Sequence, residues 1–129
     1  MKLCIDTCAY SKLALKPPEL IDCIDEAESI YFPSIVLGEL FAGFCMGKKE
    51  RENRVALGRF LDLPGIKIVN IDTAIADRYG FVIKQLRKQG TPIPTNDIWI
   101  AATALETGSR LLTYDLHFTC VPGLLIVSP

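Results

Sequence analysis

The sequence predicts a three-layer α/β/α fold with a central parallel sheet. Its candidate strands are apolar along their whole length, which is typical of parallel strands that are covered on both faces. Segments in which apolar residues recur at helical spacing separate these strands, so the two kinds of element alternate. The chain has 129 residues and is 50% hydrophobic, which suits one ordinary domain. We therefore expect residues 1–129 to form a single domain.

The first part of the chain predicts two strands and two helices. Strand one spans residues 2–7, a short apolar run that ends in a carboxylate and a hydroxyl. Apolar residues between positions 20 and 27 recur at helical spacing, and residues 29–32 form a second strand that a proline stops. Ser34 is a plausible N-cap for the next helix, which Gly47 ends.

The rest of the chain predicts three helices and three strands. Residues 48–63 are charged and helical in pattern, and a Pro-Gly pair ends them. The next helix follows Asp72 or Thr73 as its cap, and the last helix starts at Thr95 as N-cap and ends before Gly108. The strands predicted in this part are residues 66–71, 110–115 and 124–127.

Four acidic residues are predicted at one edge of this sheet. Asp6 and Asp115 each end a strand, and ligands of open α/β sheets bind outside these carboxyl ends. Asp97 lies in the first turn of a predicted helix, and Glu39 lies one to two turns into another. No basic residue flanks Asp6, Asp97 or Asp115 in sequence. The simplest shared partner for these acids is a divalent cation.

The ligand chemistry of the four acids favours a hard cation bound by oxygen, Mg²⁺ or Mn²⁺. Two carboxylates about 4 Å apart repel by roughly 4 kcal/mol at an effective dielectric near 20, so a metal-free cluster must bind protons or spread apart. Taken singly, Asp97 could only favour a helix N-terminus, Glu39 could be a solvated acid, and Asp115 could be a turn residue. A shared site is favoured because all four are predicted at one edge.

Composition and charge bear on the class of protein. The net charge is −1 and the pI is about 5.8, so no global basic field indicates nucleic-acid binding. No apolar stretch approaches the length of a membrane span, and the sequence starts directly on a strand, so we expect a cytoplasmic protein. The five cysteines do not suggest a disulfide framework, and we interpret Cys4 and Cys8 as buried small hydrophobes.

Four segments of the chain carry a resemblance to a known family. They are Ile5-Asp6-Thr7, Gly38-Glu39-Leu40, residues 93–102 (IPTNDIWIAA), and residues 112–118 (LTYDLHF) with residues 121–124 behind them. With these segments the whole chain resembles the PIN-domain ribonucleases, and most closely the VapC toxins of bacterial and archaeal toxin–antitoxin pairs. The first two segments are weak motifs, whereas the last two together are quite specific.

This resemblance implies that Asp6, Glu39, Asp97 and Asp115 are the catalytic and metal-binding residues, the same four acids that the sheet argument selects. It implies an Mg²⁺-dependent endoribonuclease, with Mn²⁺ as a possible substitute. A metal-activated water would hydrolyse an RNA phosphodiester and leave a 5′-phosphate and a 3′-hydroxyl. The resemblance also implies a small antitoxin protein as partner, and a homodimer. Thr113 matches a hydroxyl that the family often has beside its fourth acid.

Three further residues near these motifs have roles that the sequence leaves open. Cys8 departs from the family, which often has Asn or Ser there, and the departure concerns a side-chain hydrogen bond rather than a metal ligand. Asn96 is either a polar contact to the metal's water shell or an ordinary residue of a helix's first turn. We interpret His117, the only histidine, as local packing rather than as a general base.

Two surfaces are candidates for contacts with partners. Nine of the fourteen lysines and arginines fall within residues 48–59 and 78–88, where RNA phosphates could dock, although acids interleave the first cluster. Phe41, Phe44 and residues 45–46 give their helix more apolar area than one core face needs, which suits a groove for an amphipathic antitoxin segment. Which surface binds the antitoxin and which forms the dimer stays open.

Two other classes of protein are compatible with part of this pattern. An Mg²⁺-dependent phosphotransfer domain of the receiver or phosphatase type also places aspartates at strand ends. Such domains normally need a lysine beside the site, and no lysine ends a strand near Asp97 or Asp115. The other class is a non-catalytic PIN-like module that binds RNA or protein, and the intact carboxylates argue against it.

Overall fold

A five-stranded parallel sheet forms the centre of the structure, a computed structural model that describes residues 1–129. The strands are β1 (Lys2–Ile5), β2 (Ser29–Pro33), β3 (Ile66–Val69), β4 (Arg110–Leu112) and β5 (Ile126–Val127). Their order across the sheet is β3-β2-β1-β4-β5, and every pairing is parallel. The predicted central parallel sheet is confirmed.

Six α-helices connect the strands and cover the sheet. They are α1 (Thr7–Lys12), α2 (Pro18–Glu26), α3 (Ser34–Met46), α4 (Glu50–Leu61), α5 (Thr73–Gln89) and α6 (Thr95–Thr107). Two short 3₁₀ helices lie at Leu13–Leu15 and Leu116–Cys120. Right-handed crossovers, the rule for parallel strands, place α1 to α4 on one face of the sheet and α5 and α6 on the other. The predicted three-layer α/β/α class is therefore confirmed.

Aromatic and small side chains pack the two faces differently. On the first face, Tyr10 of α1, Phe32 of β2 and Phe60 of α4 meet edge to face, with ring centroids 5.3 to 6.1 Å apart. On the second face, α6 contacts β1, β2 and β4 and buries six of its thirteen residues. Tyr79 of α5 stacks on Trp99 of α6 at a centroid distance of 3.7 Å. These contacts fix both helical layers against the sheet.

The pairing of β1 with β4 brings two loops together at the carboxyl end of the sheet. Ile5 of β1 lies beside Leu112 of β4, and the backbone N–H of Asp6 donates to the Leu112 carbonyl at 3.4 Å. The residues that follow the two strands, Asp6 and Thr113, are therefore neighbours. This edge of the sheet is the one at which the sequence predicts a ligand site.

Four of the five strands are shorter than the sequence predicts, whereas β2 extends one residue further, to Pro33. The strand predicted at residues 110–115 ends at Leu112, because the Thr113 hydroxyl accepts from the Asp115 N–H and turns the chain, and Asp115 caps a 3₁₀ helix. The strand predicted at residues 66–71 ends at Val69, and the last strand consists of Ile126–Val127 alone. Asp115 thus lies three residues beyond its strand rather than at the strand's end.

Helix boundaries agree with the sequence at glycines and differ at prolines. Gly90 and Gly108 end α5 and α6 with positive φ angles of 72° and 65°, as the sequence predicts. Asp72 caps α5, where its carboxylate accepts from the Ile75 N–H at 2.9 Å. The predicted N-caps Ser34 and Thr95 are wrong: both are first helical residues, because the preceding prolines hold the extended cap position.

The cysteines and the helices add two further observations. All five cysteines are free, in agreement with the sequence. Cys4 is buried in β1, but Cys8 is exposed on α1, so its interpretation as a buried hydrophobe is wrong. None of the helices combines the length and the apolarity that crossing a membrane requires.

Candidate active site

Asp6 is a buried carboxylate that is held at both of its oxygens. It is the N-cap of α1, and its Oδ1 accepts from the Ala9 N–H at 2.8 Å. Its Oδ2 accepts a hydrogen bond from the hydroxyl of Thr113. Asp6 is 4% exposed and Thr113 is 1% exposed. The carboxylate at the end of β1 is therefore fixed in one orientation.

Thr113 links this carboxylate to the turn that carries the fourth acid. Its Oγ1 donates to Asp6 and accepts from the backbone N–H of Asp115 at 2.9 Å. The carboxylate of Asp115 in turn accepts from the His117 N–H at 2.9 Å, and His117 Nδ1 lies 3.0 Å from the same oxygen. The His117 side chain is 77% exposed, so it contacts Asp115 locally rather than packing into the core.

Glu39 and Asp97 approach the same edge from two helices that contact each other, α3 and α6. Glu39 lies in the second turn of α3, and its Oε1 accepts from the Thr7 hydroxyl at 2.7 Å. Asp97 lies in the first turn of α6 and is half-buried. The hydroxyl of Thr7 therefore orients Glu39 from the start of α1, next to Asp6.

All four predicted acids line one cleft of about 540 Å³. The residues that line it are Asp6, Glu39, Asp97 and Asp115 together with Thr7, Cys8, Lys12, Ile100 and Tyr114. Asn96 and His117 do not line the cleft. A contact of Asn96 with a metal's water shell, and the role of His117, therefore stay predictions. Lys12 and Tyr114 are the members that the sequence reasoning missed, because α1 and the turn after β4 bring them together only in the fold.

Burial and like charge act on the carboxyl groups of the cleft. Burial raises the pKa of Asp97 to about 6, and the negative charges of Asp115, Glu39 and Asp6 add to the rise, whereas nearby His117 opposes it. Burial also raises the pKa of Asp6, and its hydrogen bonds from Thr113 and Ala9 partly oppose this rise. The charges of Glu39 and Asp115 thus raise the pKa of both Asp97 and Asp6.

The donor set of the cleft fits a hard cation better than a soft one. Its walls offer four carboxylates and the Thr7 hydroxyl, and the single thiol of Cys8 does not make a zinc site. No three acidic, histidine or cysteine side chains are close enough to form a compact metal cluster. Carboxylates that repel one another spread apart, and Mg²⁺ needs only one or two direct carboxylate ligands with waters completing its shell.

The two predicted basic clusters lie outside this cleft. Neither residues 48–59 nor residues 78–88 contribute to its walls. Arg54 lies 3.9 Å from Glu50, and Arg78 pairs with Glu106 at 3.2 Å. Part of each cluster is therefore engaged in surface ion pairs, and RNA contacts there stay a prediction.

A second, mostly apolar groove of about 450 Å³ lies between α1, the 3₁₀ turn after it, and the α3–α4 pair. It is lined by Tyr10, Ser11, Leu13, Ala14, Leu40, Phe44, Asn53, Ala56 and Phe60. Of the apolar residues predicted for a partner surface, Phe44 lines this groove. Phe41 packs edge to face on Phe44 at 6.4 Å, and Met46 is 83% exposed beyond it.

Comparison with known proteins agrees with the fold. The profile of the PIN domain matches residues 3–124, nearly the whole chain. The chain belongs to the PIN domain family. All four acids of the cleft fall within the matched residues.

Two similar proteins and one solved structure extend this comparison. Ribonuclease VapC2 of Rickettsia felis is 28% identical over 107 residues, which cover 82% of this chain and 78% of that protein. Ribonuclease VapC4 of Mycobacterium tuberculosis is 27% identical over 94 residues, covering 73% and 72%. The structure of VapBC2 from Rickettsia felis, bound to a DNA fragment from its promoter, has a TM-score of 0.87 and 25% identity over 98% of both chains. The chain is a VapC-like PIN-domain protein.

Proposed function

We propose that this chain is a divalent-metal-dependent endoribonuclease that acts as the toxin of a toxin–antitoxin pair. One observation carries the proposal: four carboxylates from four separate segments line a single cleft at the carboxyl end of the sheet in a PIN domain. Two similar proteins carry the name ribonuclease. RNA is therefore the proposed substrate, and the phosphodiester is the bond that breaks.

Asp6 and Asp97 are the proposed direct ligands of the metal. Asp6 is held by Ala9 and Thr113, so its carboxylate needs no reorganisation when a cation binds. Asp97 is half-buried among the charges of the other acids, an environment that a cation would relieve. A divalent cation in the cleft would lower the pKa of an attacking water and neutralise charge on a phosphate oxygen.

Glu39 and Asp115 complete the proposed set from the two sides of the cleft. Thr7 orients the Glu39 carboxylate, and Thr113 accepts from the backbone of Asp115. Both carboxylates can accept hydrogen bonds from waters of the metal's shell and so orient them toward a phosphate. We propose Mg²⁺ as the physiological ion and Mn²⁺ as a substitute, because oxygen ligands favour both over Zn²⁺.

A small antitoxin is the proposed protein partner, and a homodimer is the proposed assembly. A solved structure similar to this chain is that of a VapBC pair. The groove beside Tyr10, Leu40 and Phe44 is apolar and is flanked by helices, which suits the apolar face of an amphipathic antitoxin segment.

Expression of this chain alone should slow growth of its host, and co-expression of a short gene encoded beside it should restore growth. The absence of any such neighbour would favour a solitary PIN nuclease.

A cleavage assay on purified protein tests the enzymatic proposal. We expect cleavage of some members of a structured-RNA panel with Mg²⁺ or Mn²⁺, loss of cleavage with EDTA, and little turnover with Ca²⁺, whose longer and more variable coordination positions water poorly. Asp97→Asn and Asp115→Asn, prepared identically, exclude a contaminating ribonuclease. Cleavage that persists in EDTA and in both variants would contradict the proposal, and tight RNA binding without cleavage would favour a non-catalytic module.

A further inference from the structure

Lys12 is the only basic side chain in the wall of the acidic cleft. It is the last residue of α1, the helix that Asp6 caps, so this short helix spans the distance from the buried acid to the lysine. Its Nζ lies 4.2 Å from the centroid of the Tyr114 ring. Tyr114 is partly buried against the core and sits between Thr113 and Asp115, and its ring therefore gives the ammonium group a fixed support.

The ammonium group of Lys12 is not neutralised by the acids around it. None of the four ion pairs in the structure includes Lys12, although four carboxylates line the same cleft. A cation that touches an aromatic face, and that keeps its hydrogen-bond donors free, can still bind an anion. Lys12 therefore offers a positive charge at the edge of a negative cleft.

An RNA strand that enters this cleft meets a strong electrostatic obstacle. The whole chain has a net charge of −1, and the cleft itself carries four acids against one lysine. The two larger basic clusters do not reach its walls. Lys12 is therefore the one basic side chain inside the cleft that a phosphate next to the acids can contact.

We propose that Lys12, supported by the ring of Tyr114, forms a subsite for an RNA backbone phosphate next to the scissile one. This inference rests on the proposed ribonuclease function and adds to it a substrate-positioning residue. Lys12 donates to a non-bridging phosphate oxygen and so fixes the register of the strand against the acids. It takes no part in the bond cleavage itself.

Steady-state kinetics test the subsite on the RNA that wild-type protein cleaves best within the panel. Lys12→Gln should raise KM about five- to tenfold and change kcat by less than about twofold, since one charge-assisted hydrogen bond to bound substrate is lost. Lys12→Arg should restore most of the KM. Lys16→Gln is the matched control, because it removes the same charge four residues away, where the side chain is exposed and outside the cleft.

Binding measurements separate a phosphate contact from general neutralisation of the acids. In the Asp97→Asn background with Mg²⁺, the affinity for a fluorescein-labelled twelve-nucleotide oligouridylate is measured between about 50 and 300 mM KCl. Lys12→Gln should weaken binding about fivefold at the low-salt end and reduce the slope of log K against log salt by about 0.7, the value for one phosphate contact on a single strand. Lys16→Gln should leave that slope unchanged.

Three results would overturn the inference. One is a Lys12→Gln variant that cleaves RNA with the same kcat and the same KM as wild type. Another is an unchanged salt slope in Lys12→Gln, or no measurable binding of the oligouridylate by the Asp97→Asn protein that keeps Lys12. The third is a lower Mg²⁺ requirement in Lys12→Gln with no loss of RNA affinity, which would make Lys12 only a neutraliser of the acids. Failure of wild-type protein to cleave any RNA, with the Lys12-dependent slope intact, would instead refute the proposed ribonuclease and support the phosphate subsite.

Discussion

Among single residues, Asp6 and Asp97 are both acids of the cleft, yet their surroundings differ. Asp6 accepts hydrogen bonds at both carboxylate oxygens, from Ala9 and from Thr113, and so it also holds α1 and the end of β4 in place. Asp97 lies half-buried near like charges. Removal of the two charges should therefore affect folding in different ways, even though both residues are proposed metal ligands.

Asp97→Asn should stabilise the metal-free protein at pH 7.5 but not at pH 4. The folded pKa of Asp97 is raised to about 6, above its usual value, so its contribution to stability is full at low pH and is lost as the pH rises through 6. With allowance for solvent screening, the gain at pH 7.5 is about 1–2 kcal/mol. Urea unfolding in EDTA at the two pH values measures it. An equal shift at both pH values would mean that charge is not its cause.

Thr113→Val should destabilise the protein by about 1–3 kcal/mol, since the buried Asp6 carboxylate loses a donor and the Asp115 N–H loses its acceptor. Thr113→Ser, which keeps the hydroxyl, is the control. Equal stability of Thr113→Val and wild type would show that this bond contributes nothing to the fold.

Asp6→Asn should not stabilise the protein as Asp97→Asn does. Asp6 accepts one hydrogen bond at each carboxylate oxygen, whereas an asparagine amide has only one oxygen that can accept.

The position of a single residue was predictable where the order of strands and helices along the chain decides it. The sequence selects the four acids because all four are predicted at one edge of the sheet, although three of them have other readings when taken singly. Lys12 and Tyr114 could not be found in this way, because their contact depends on the length of α1 and on the turn after β4. The end of the strand before Asp115 was predicted three residues too late for a similar reason, because the hydrogen bond from the Asp115 N–H to the Thr113 hydroxyl turns the chain after Leu112.

Among the elements, helices α3 and α6 follow prolines that set their starting direction. Pro33 and Pro94 hold extended backbone at the cap, with ψ near 140° and 146°, and the helix begins at the next residue. This places Asp97 in the first turn of α6 and Glu39 in the second turn of α3. The sequence predicted both helices, but it assigned the caps to Ser34 and Thr95, because their hydroxyls are favoured there in the absence of a proline.

A charge in the groove between α1 and the α3–α4 pair should disrupt the antitoxin complex without loss of nuclease activity. Ala56 lines this groove and is exposed on α4, so Ala56→Glu adds charge without emptying the core. Affinity for the cognate antitoxin should fall at least about tenfold, because a carboxylate is desolvated against an apolar face. Val55→Glu, exposed but outside the groove, is the matched control. Equal loss in both variants would place the antitoxin elsewhere.

At the scale of the whole molecule, the parallel sheet explains why distant acids meet. Its order, β3-β2-β1-β4-β5, places β1 at the centre with all carboxyl ends on one edge, so residues 6, 39, 97 and 115 gather there. The architecture was predictable because fully apolar strands that alternate with helices have few other arrangements. The relative tilt of the helices, and hence the shape of the cleft, follows from side-chain packing that no local pattern encodes.

Mn²⁺ binding to metal-free protein, followed by the loss of the free-ion electron paramagnetic resonance signal, tests most directly that the four acids form one metal site. We expect wild-type protein to bind Mn²⁺ and Mg²⁺ to compete for it. The double variant Asp6→Asn/Asp97→Asn, checked for folding by its melting transition, should bind at least about tenfold more weakly, since affinity follows the number of charged ligands. Asp62→Asn, an exposed acid outside the cleft, should bind as wild type does. Equal Mn²⁺ affinity in wild type and the folded double variant would contradict the metal site and the ribonuclease built on it.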